Sequence, residues 1–221
     1  EQWMETGMKH AKRIGTLAVA VGIMTVMGSA AAQTPFGWRV GPTAWSFKEF
    51  TFFEAVDKTV ALGMSNIEAF QGQRIRPDAE GVMDANLPDD VIQQIRAKLD
   101  EAKIKLTSIY IHNIPGDDAA CRPIFEFARK LGVEFIVSEP APEALDVIEK
   151  YCNEFAINLA IHNHAEGKSE YWNPADVLKV CDGRGPRIGA CGDTGHWLRS
   201  GLKPADCART LGKRLLAVHL K

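Results

Sequence analysis

The chain has 221 residues, 46% of them hydrophobic and 24% charged, with a formal net charge of −2. A single globular domain is the default for that length and composition. The mildly acidic balance argues against nucleic-acid binding, which draws on clustered Lys and Arg, and leaves a small molecule as the expected partner.

Residues 1–32 read as a leader with a short N-terminal extension. Lys9, Lys12 and Arg13 precede an uncharged run from Ile14 to Met27, and small residues follow through Ala32. A basic region, an apolar core and a small-residue end predict a signal peptide, hence an exported (periplasmic or secreted) protein with no stable membrane association after cleavage. Residues 33–221 then carry a charge of −3, since the leader holds three cations and two acids.

The first predicted strand runs from Arg39 to Trp45, and the first helix from Phe50 to Leu62, burying Phe53, Val56 and Val60 at helical spacing. A second strand, Asn66 to Phe70, leads into a long Gly-, Pro- and charge-bearing loop to Pro88. A helix from Asp89 to Ala102 starts at an Asp cap and buries Ile92, Ile95 and Leu99. The third strand, Leu106 to Ile111, ends at His112. Ile124, Phe127, Ala128 and Leu131 mark the next helix, and the fourth strand ends at Glu139. Leu145, Ile148, Cys152 and Phe155 mark a helix from Pro142, ahead of a fifth strand, Asn158 to Ile161, that runs into His162-Asn163-His164. A short helix, Pro174 to Cys181, precedes a sixth strand, Ile188 to Gly192, and then Asp193-Thr-Gly-His196. A helix from Pro204 to Leu211 gives way to a seventh strand and His219.

One phrase recurs in this series: helix, Leu-Gly, a short apolar run, then a metal-capable side chain. Leu62-Gly63 leads to Glu68, Leu131-Gly132 to Glu139, and Leu211-Gly212 to His219. Glycine after a helix is the left-handed cap, and an apolar run too short for a helix reads as a parallel strand covered on both faces. The fold class is therefore α/β: a (β/α)8-type TIM barrel with seven strands present, lacking its last βα units. The five cysteines, an odd number without a C-x-x-C pair, read as packing residues, although an exported protein could pair two of them.

The predicted strand ends hold Glu68, His112, Glu139, His162, His164, Asp193, His196 and His219; of six histidines only His10 lies elsewhere. Barrel chemistry sits at that rim. Mixed nitrogen and oxygen donors suit a divalent metal such as Mn, Zn, Co or Mg. His162 and His164, two apart, project to one side if the strand continues through them. Trp45, with Phe47, Phe70 and Trp197, lies near strand ends, where it could stack on a bound molecule or simply pack the rim.

The motifs Asp193-Thr-Gly-His196, Val218-His219-Leu-Lys221 and His162-Asn-His164 resemble those of the xylose isomerase-like barrel superfamily of sugar isomerases and epimerases, with inosose dehydratase relatives and, more distantly, endonuclease IV. The resemblance covers Trp38 to Lys221. It implies a metal held by one ligand from each of four successive strands, usually Glu, Asp, His and Glu. Asp193 and His219 match directly, while His162 stands where the epimerases place Glu. Glu139, one strand earlier, is the candidate for the missing carboxylate, so the implied metal set is Glu139, His162, Asp193 and His219. His196 matches the histidine that contacts substrate; Glu68, His112 and Trp45 join it as substrate-binding candidates, with a rim salt bridge the alternative for Glu68. Glu139 and His164 are the candidates to move a proton. The activity implied is metal-dependent isomerisation, epimerisation or dehydration of a free sugar, keto-sugar or cyclitol, in a possible homo-oligomer. An endonuclease IV-like phosphodiesterase and a non-catalytic carbohydrate-binding remnant are the alternatives.

Overall fold

Thr51 opens the first helix with a reciprocal cap: its Oγ1 accepts from the Glu54 backbone N–H at 3.4 Å, while Glu54 Oε2 accepts from the Thr51 N–H at 2.8 Å. That box fixes where the helix starts, and with it which face is buried. In the computed structural model, which describes residues 37–78 and 81–221, helix α1 spans Phe52–Ala61 and buries Phe52, Ala55, Val56 and Thr59. The expected face of Phe53, Val56 and Val60 is rotated: Val60 is exposed and Phe53 half-buried. The predicted leader, residues 1–32, lies outside the described residues. No helix among those described is long and apolar enough to cross a membrane.

The remaining elements alternate as the sequence expects: β1 Asn66–Phe70, α2 Asp89–Ala102, β2 Lys105–Tyr110, α3 Asp118–Leu131, β3 Phe135–Ser138, α4 Leu145–Phe155, β4 Asn158–His162, α5 Pro174–Cys181 and β5 Ile188–Asp193. Helices α6 Thr194–Arg199 and α7 Pro204–Leu211 follow, then β6 Leu215–His219. The sheet order is β1-β2-β3-β4-β5-β6 with every neighbouring pair parallel, a curled half-barrel. Gly63, Gly132 and Gly212 all take positive φ (68°, 79° and 51°), as the Leu-Gly phrase requires.

Among the described residues six strands form, not seven. The stretch expected as the first strand makes only an isolated parallel bridge, Thr43 to Glu68, with the Glu68 N–H donating to Pro42 O at 3.1 Å. Pro42 has no N–H to continue the ladder, and Ala44–Phe47 turn into a 3₁₀ helix. This segment is tied down instead by Arg39, whose Nη1 and Nη2 donate to the Glu134 carboxylate at 2.7 and 2.6 Å. Asp89 is not the cap of α2: Pro88 holds that position, and Asp89 and Asp90 sit in the first turn, favourable to the helix dipole. All five cysteines are free and buried.

Strand alternation sorts the sheet into two faces. Ile136, Leu159, Ile161, Ile188 and Ala190 join the large core shared with the helices. Val137, Ala160 and Cys191 form a separate small cluster, with Tyr110, Leu216 and Ala217 against it. Moving two residues along each strand from that cluster reaches Glu139, His162, Asp193 and, from Ala217, His219. Ala217 pairs with Cys191 and His219 with Asp193.

Gly192 permits the turn above β5: a Cβ there would lie 2.2 Å from the Trp197 ring, which is 2% exposed beneath α6. Gly192→Ala is expected to cost about 1–3 kcal/mol through overpacking, read as a lower urea midpoint at unchanged m value. A second expectation concerns acid. Hydrogen bonds from Arg39 and Lys105 outweigh burial and lower the Glu134 pKa from 4.5 to about 2. Its contribution is therefore complete above pH 4.5 and fades as pH falls towards 2. The stability gap between the native chain and Glu134→Gln, measured by urea titration, should close over that interval.

Candidate functional site

Asp193 ends β5 and caps α6 in one residue. Its Oδ1 accepts from the His196 backbone N–H at 3.0 Å, which holds the short helix directly against the strand tip. The neighbouring strand locks the same position: Asn163 Oδ1 accepts from the Asp193 N–H at 2.8 Å, and Asn163 Nδ2 donates to Asp193 O at 3.3 Å. The carboxylate is wholly buried, and its second oxygen, Oδ2, has no aligned hydrogen bond. Around Oδ2 stand Lys221 Nζ at 2.6 Å, His162 Nε2 at 3.4 Å, His196 Nε2 at 3.9 Å and His219 Nδ1 at 4.0 Å.

The imidazoles pack closely. Ring centroids are 4.9 Å apart for His162 and His164, 4.5 Å for His164 and His196, and 5.2 Å for His162 and His219. Glu139 Oε1 lies 2.9 Å from His162 Nδ1 and 2.5 Å from His164 Nδ1. Across the site, Glu68 Oε2 accepts from Ser108 Oγ at 2.7 Å, and its Oε1 forms an ion-pair contact with His219 Nε2 at 2.9 Å.

Charge is held in place against burial. Burial pushes the Glu139 pKa up, but the His162 and His164 hydrogen bonds win and hold it at about 2. Asp193 behaves likewise: burial is overcome by His162, Lys221 and the His196 N–H, leaving it well below the usual carboxylate range. Burial also opposes ionisation of Glu68, and His219 with Ser108 reverses it. Burial lowers the His196 pKa to about 4, so that ring is neutral at physiological pH. His219 goes the other way: burial opposes its charge, yet Cys191 and Glu68 raise its pKa.

Two groups among the described residues can converge on a cation: His162, Asp193 and His219, and Glu139, His162 and His164. The four expected metal ligands therefore do not form one set. His162 belongs to both groups, presenting Nε2 to Asp193 and Nδ1 to Glu139. The first set suits the divalent ion implied by the sequence. It offers a buried carboxylate oxygen lacking an aligned partner, and mixed nitrogen and oxygen donors. Donors bound to one small divalent ion lie roughly 3 Å apart, and the 3.4 Å between His162 Nε2 and Asp193 Oδ2 is close to that.

Of the substrate-binding candidates, Glu68 and His196 lie within this cluster. His112 is exposed, outside both groups, with Nδ1 3.5 Å from Tyr110 Oη. Trp45, 55% exposed, meets Phe70 edge-on at 5.1 Å. Trp197 is buried and packs against Gly192. Sequence reasoning gave no role to Lys221, although its motif was noted, nor to Asn163, Ser108 or Thr194. Thr194 Oγ1 donates to His219 O at 3.1 Å and accepts from Lys221 N at the same distance, joining the tips of β5 and β6.

Residues 56–221 match the family described as the xylose isomerase-like TIM barrel, and the chain belongs to that family. Among solved structures, an uncharacterized protein from Parabacteroides distasonis ATCC 8503 is 31% identical, with a TM-score of 0.73, covering 83% of this chain and 74% of its own. D-psicose 3-epimerase, solved in the presence of D-fructose, is similar at 18% identity and TM-score 0.66, covering 82% and 73%. The 3-keto-D-glucoside 4-epimerase YcjR from E. coli is similar at 14% and 0.61, covering 82% and 78%. At these lower identities the likeness shows the fold. No curated protein matches the chain.

The cap and the charge of Asp193 separate by substitution. Asn keeps an oxygen for the His196 N–H and Ala does not, so Asp193→Ala should be less stable than Asp193→Asn by about 1 kcal/mol. Parallel urea titrations of the two variants measure the difference.

Proposed function

We propose that this chain is a divalent-metal-dependent isomerase or epimerase acting on a free sugar, keto-sugar or cyclitol by moving a proton on a carbon next to a carbonyl. The observation that carries the reading is Asp193 Oδ2, buried, unaligned with any hydrogen-bond donor and approached by imidazole nitrogens from three elements. Family membership and the named epimerases among similar structures support the same reading.

Asp193, His162 and His219 would hold the ion. A divalent cation bound there supplies Lewis acidity, stabilising negative charge that develops on a substrate oxygen. The protein's residues do the rest. Glu139 is a poor base, since its pKa is held at about 2. His164, with Nδ1 on Glu139 and its side chain partly open to solvent, is the group to take and return the proton at Nε2. Neutral His196 and the Glu68 carboxylate are placed to contact substrate hydroxyls, with exposed Trp45 a candidate stacking face at the rim. Export through residues 1–32 belongs to the same proposal and rests on their sequence pattern.

The test is metal analysis of the purified protein, then NMR of candidate keto-sugars in deuterated water. Solvent deuterium should enter the carbon beside the carbonyl, stop on chelation and be restored by added Mn, Co or Zn. Asp193→Asn should abolish both metal uptake and exchange. Full metal loading with no exchange across a panel of ketoses, keto-glycosides and inososes would refute the reading, and metal-dependent nicking of abasic DNA would replace it with phosphodiester chemistry.

A further inference from the structure

Glu139 faces the cluster from the side away from Asp193. One of its oxygens, Oε1, meets the Nδ1 atoms of two imidazoles, His162 at 2.9 Å and His164 at 2.5 Å. A carboxylate oxygen set between two ring nitrogens is the acceptor, so the protons in these contacts belong to the rings. A neutral histidine with its proton on Nδ1 has its lone pair on Nε2. For His162, Nε2 is the atom turned to Asp193 Oδ2.

We propose that Glu139 is neither a metal ligand nor the base, but a positioning residue that orients two histidines at once. It fixes His162 with Nε2 directed to the ion and His164 with Nε2 free to carry the proton. This rests on the functional reading above. The geometry supports it: one Glu139 oxygen stands within hydrogen-bond reach of both Nδ1 atoms, the arrangement of a shared acceptor, and His162 turns its other nitrogen to Asp193. The carboxylate is itself held by its setting. Its side chain is 11% exposed, its backbone N–H donates to His112 O at 3.3 Å, and Pro140 follows with its carbonyl accepting from Tyr171 Oη at 2.6 Å. A carboxylate behind a ligating histidine sets both tautomer and ring direction, and its loss commonly weakens metal binding about 10–100-fold.

The experiment compares the full chain with Glu139→Gln and Glu139→Ala, using Zn and Co as probes. Competition with a chelator should show one ion per chain in all three, bound about 10–100-fold more weakly by Glu139→Ala and at an intermediate level by Glu139→Gln, whose amide oxygen still accepts. In the Zn-loaded native chain, ¹⁵N NMR of the imidazoles should find His162 protonated at Nδ1 and metal-bound at Nε2, with His164 also protonated at Nδ1. In Glu139→Ala the His164 proton should redistribute to Nε2, and kcat should fall further than KM changes. Two ions in the native chain, one of them lost in Glu139→Ala, would overturn the proposal in favour of a second site. Unchanged affinity in both variants, or His162 bound through Nδ1, would overturn it as well. A chain that takes up no ion fails both readings. One that binds the ion in this orientation yet exchanges no deuterium keeps this inference and loses the enzymatic one.

Discussion

The carboxylate of Asp193 divides its two oxygens between structure and chemistry, and the rest of the centre is arranged around that division. Oδ1 satisfies the His196 N–H in the first turn of α6, so the helix starts directly on the strand tip. Oδ2 is left turned into a cluster of imidazoles with no aligned donor. A buried carboxylate oxygen in that condition is costly unless positive charge stands beside it. Here the Lys221 ammonium, 2.6 Å away, provides that charge. The geometry that makes the residue expensive to bury also suits it to the cation that the proposed function requires.

Parallel pairing does most of the assembly. Residues of equal parity face the same side, and Val137, Ala160 and Cys191, with Ala217 against them, cluster there although β5 is staggered by two residues against β4, Cys191 pairing with His162. Glu139, His162, Asp193 and His219 each lie two residues further on, so they face that same side. Strand alternation and this stagger bring His162, Asp193 and His219 together, with Glu139 on the other side of His162. What alternation leaves free is the direction of each side chain; Glu139 restrains the His162 and His164 rings and Ser108 the Glu68 carboxylate, while Asn163 and Thr194 fix the backbone at the strand tips.

This division explains what could be read from the sequence. The helix-cap-strand phrase located β1, β3 and β6 because glycine φ and apolar runs are local signals. The strand-end positions of His162, Asp193 and His219 followed from them. The expected first strand does not form because Pro42 removes a ladder donor, a loss that hydropathy does not register. The face of α1 was misjudged because capping at Thr51, not apolar spacing alone, sets its phase. Helix α6 was invisible because Thr194-Gly195-His196 has the composition of a turn, and only the Asp193 cap and Trp197 under Gly192 stabilise it. The pairing of Glu139 with two histidines and of Glu68 with His219 depends on side-chain direction, which a one-dimensional pattern does not carry.

The charge balance of the centre bears on how an ion would be accepted. Three buried or nearly buried acids, Glu68, Glu139 and Asp193, are all held in their ionised forms by hydrogen bonds and cations that outweigh burial. Two of them are engaged mainly with imidazoles, Glu68 with His219 and Glu139 with His162 and His164. Asp193 is the one whose counter-charge includes a flexible ammonium, and the Lys221 side chain is 42% exposed. A lysine that can swing into water at little desolvation cost yields its place to a divalent ion more readily than a buried arginine fork would. The centre therefore keeps its acids charged without an ion, and on the proposed reading Lys221 is the group that moves aside for one.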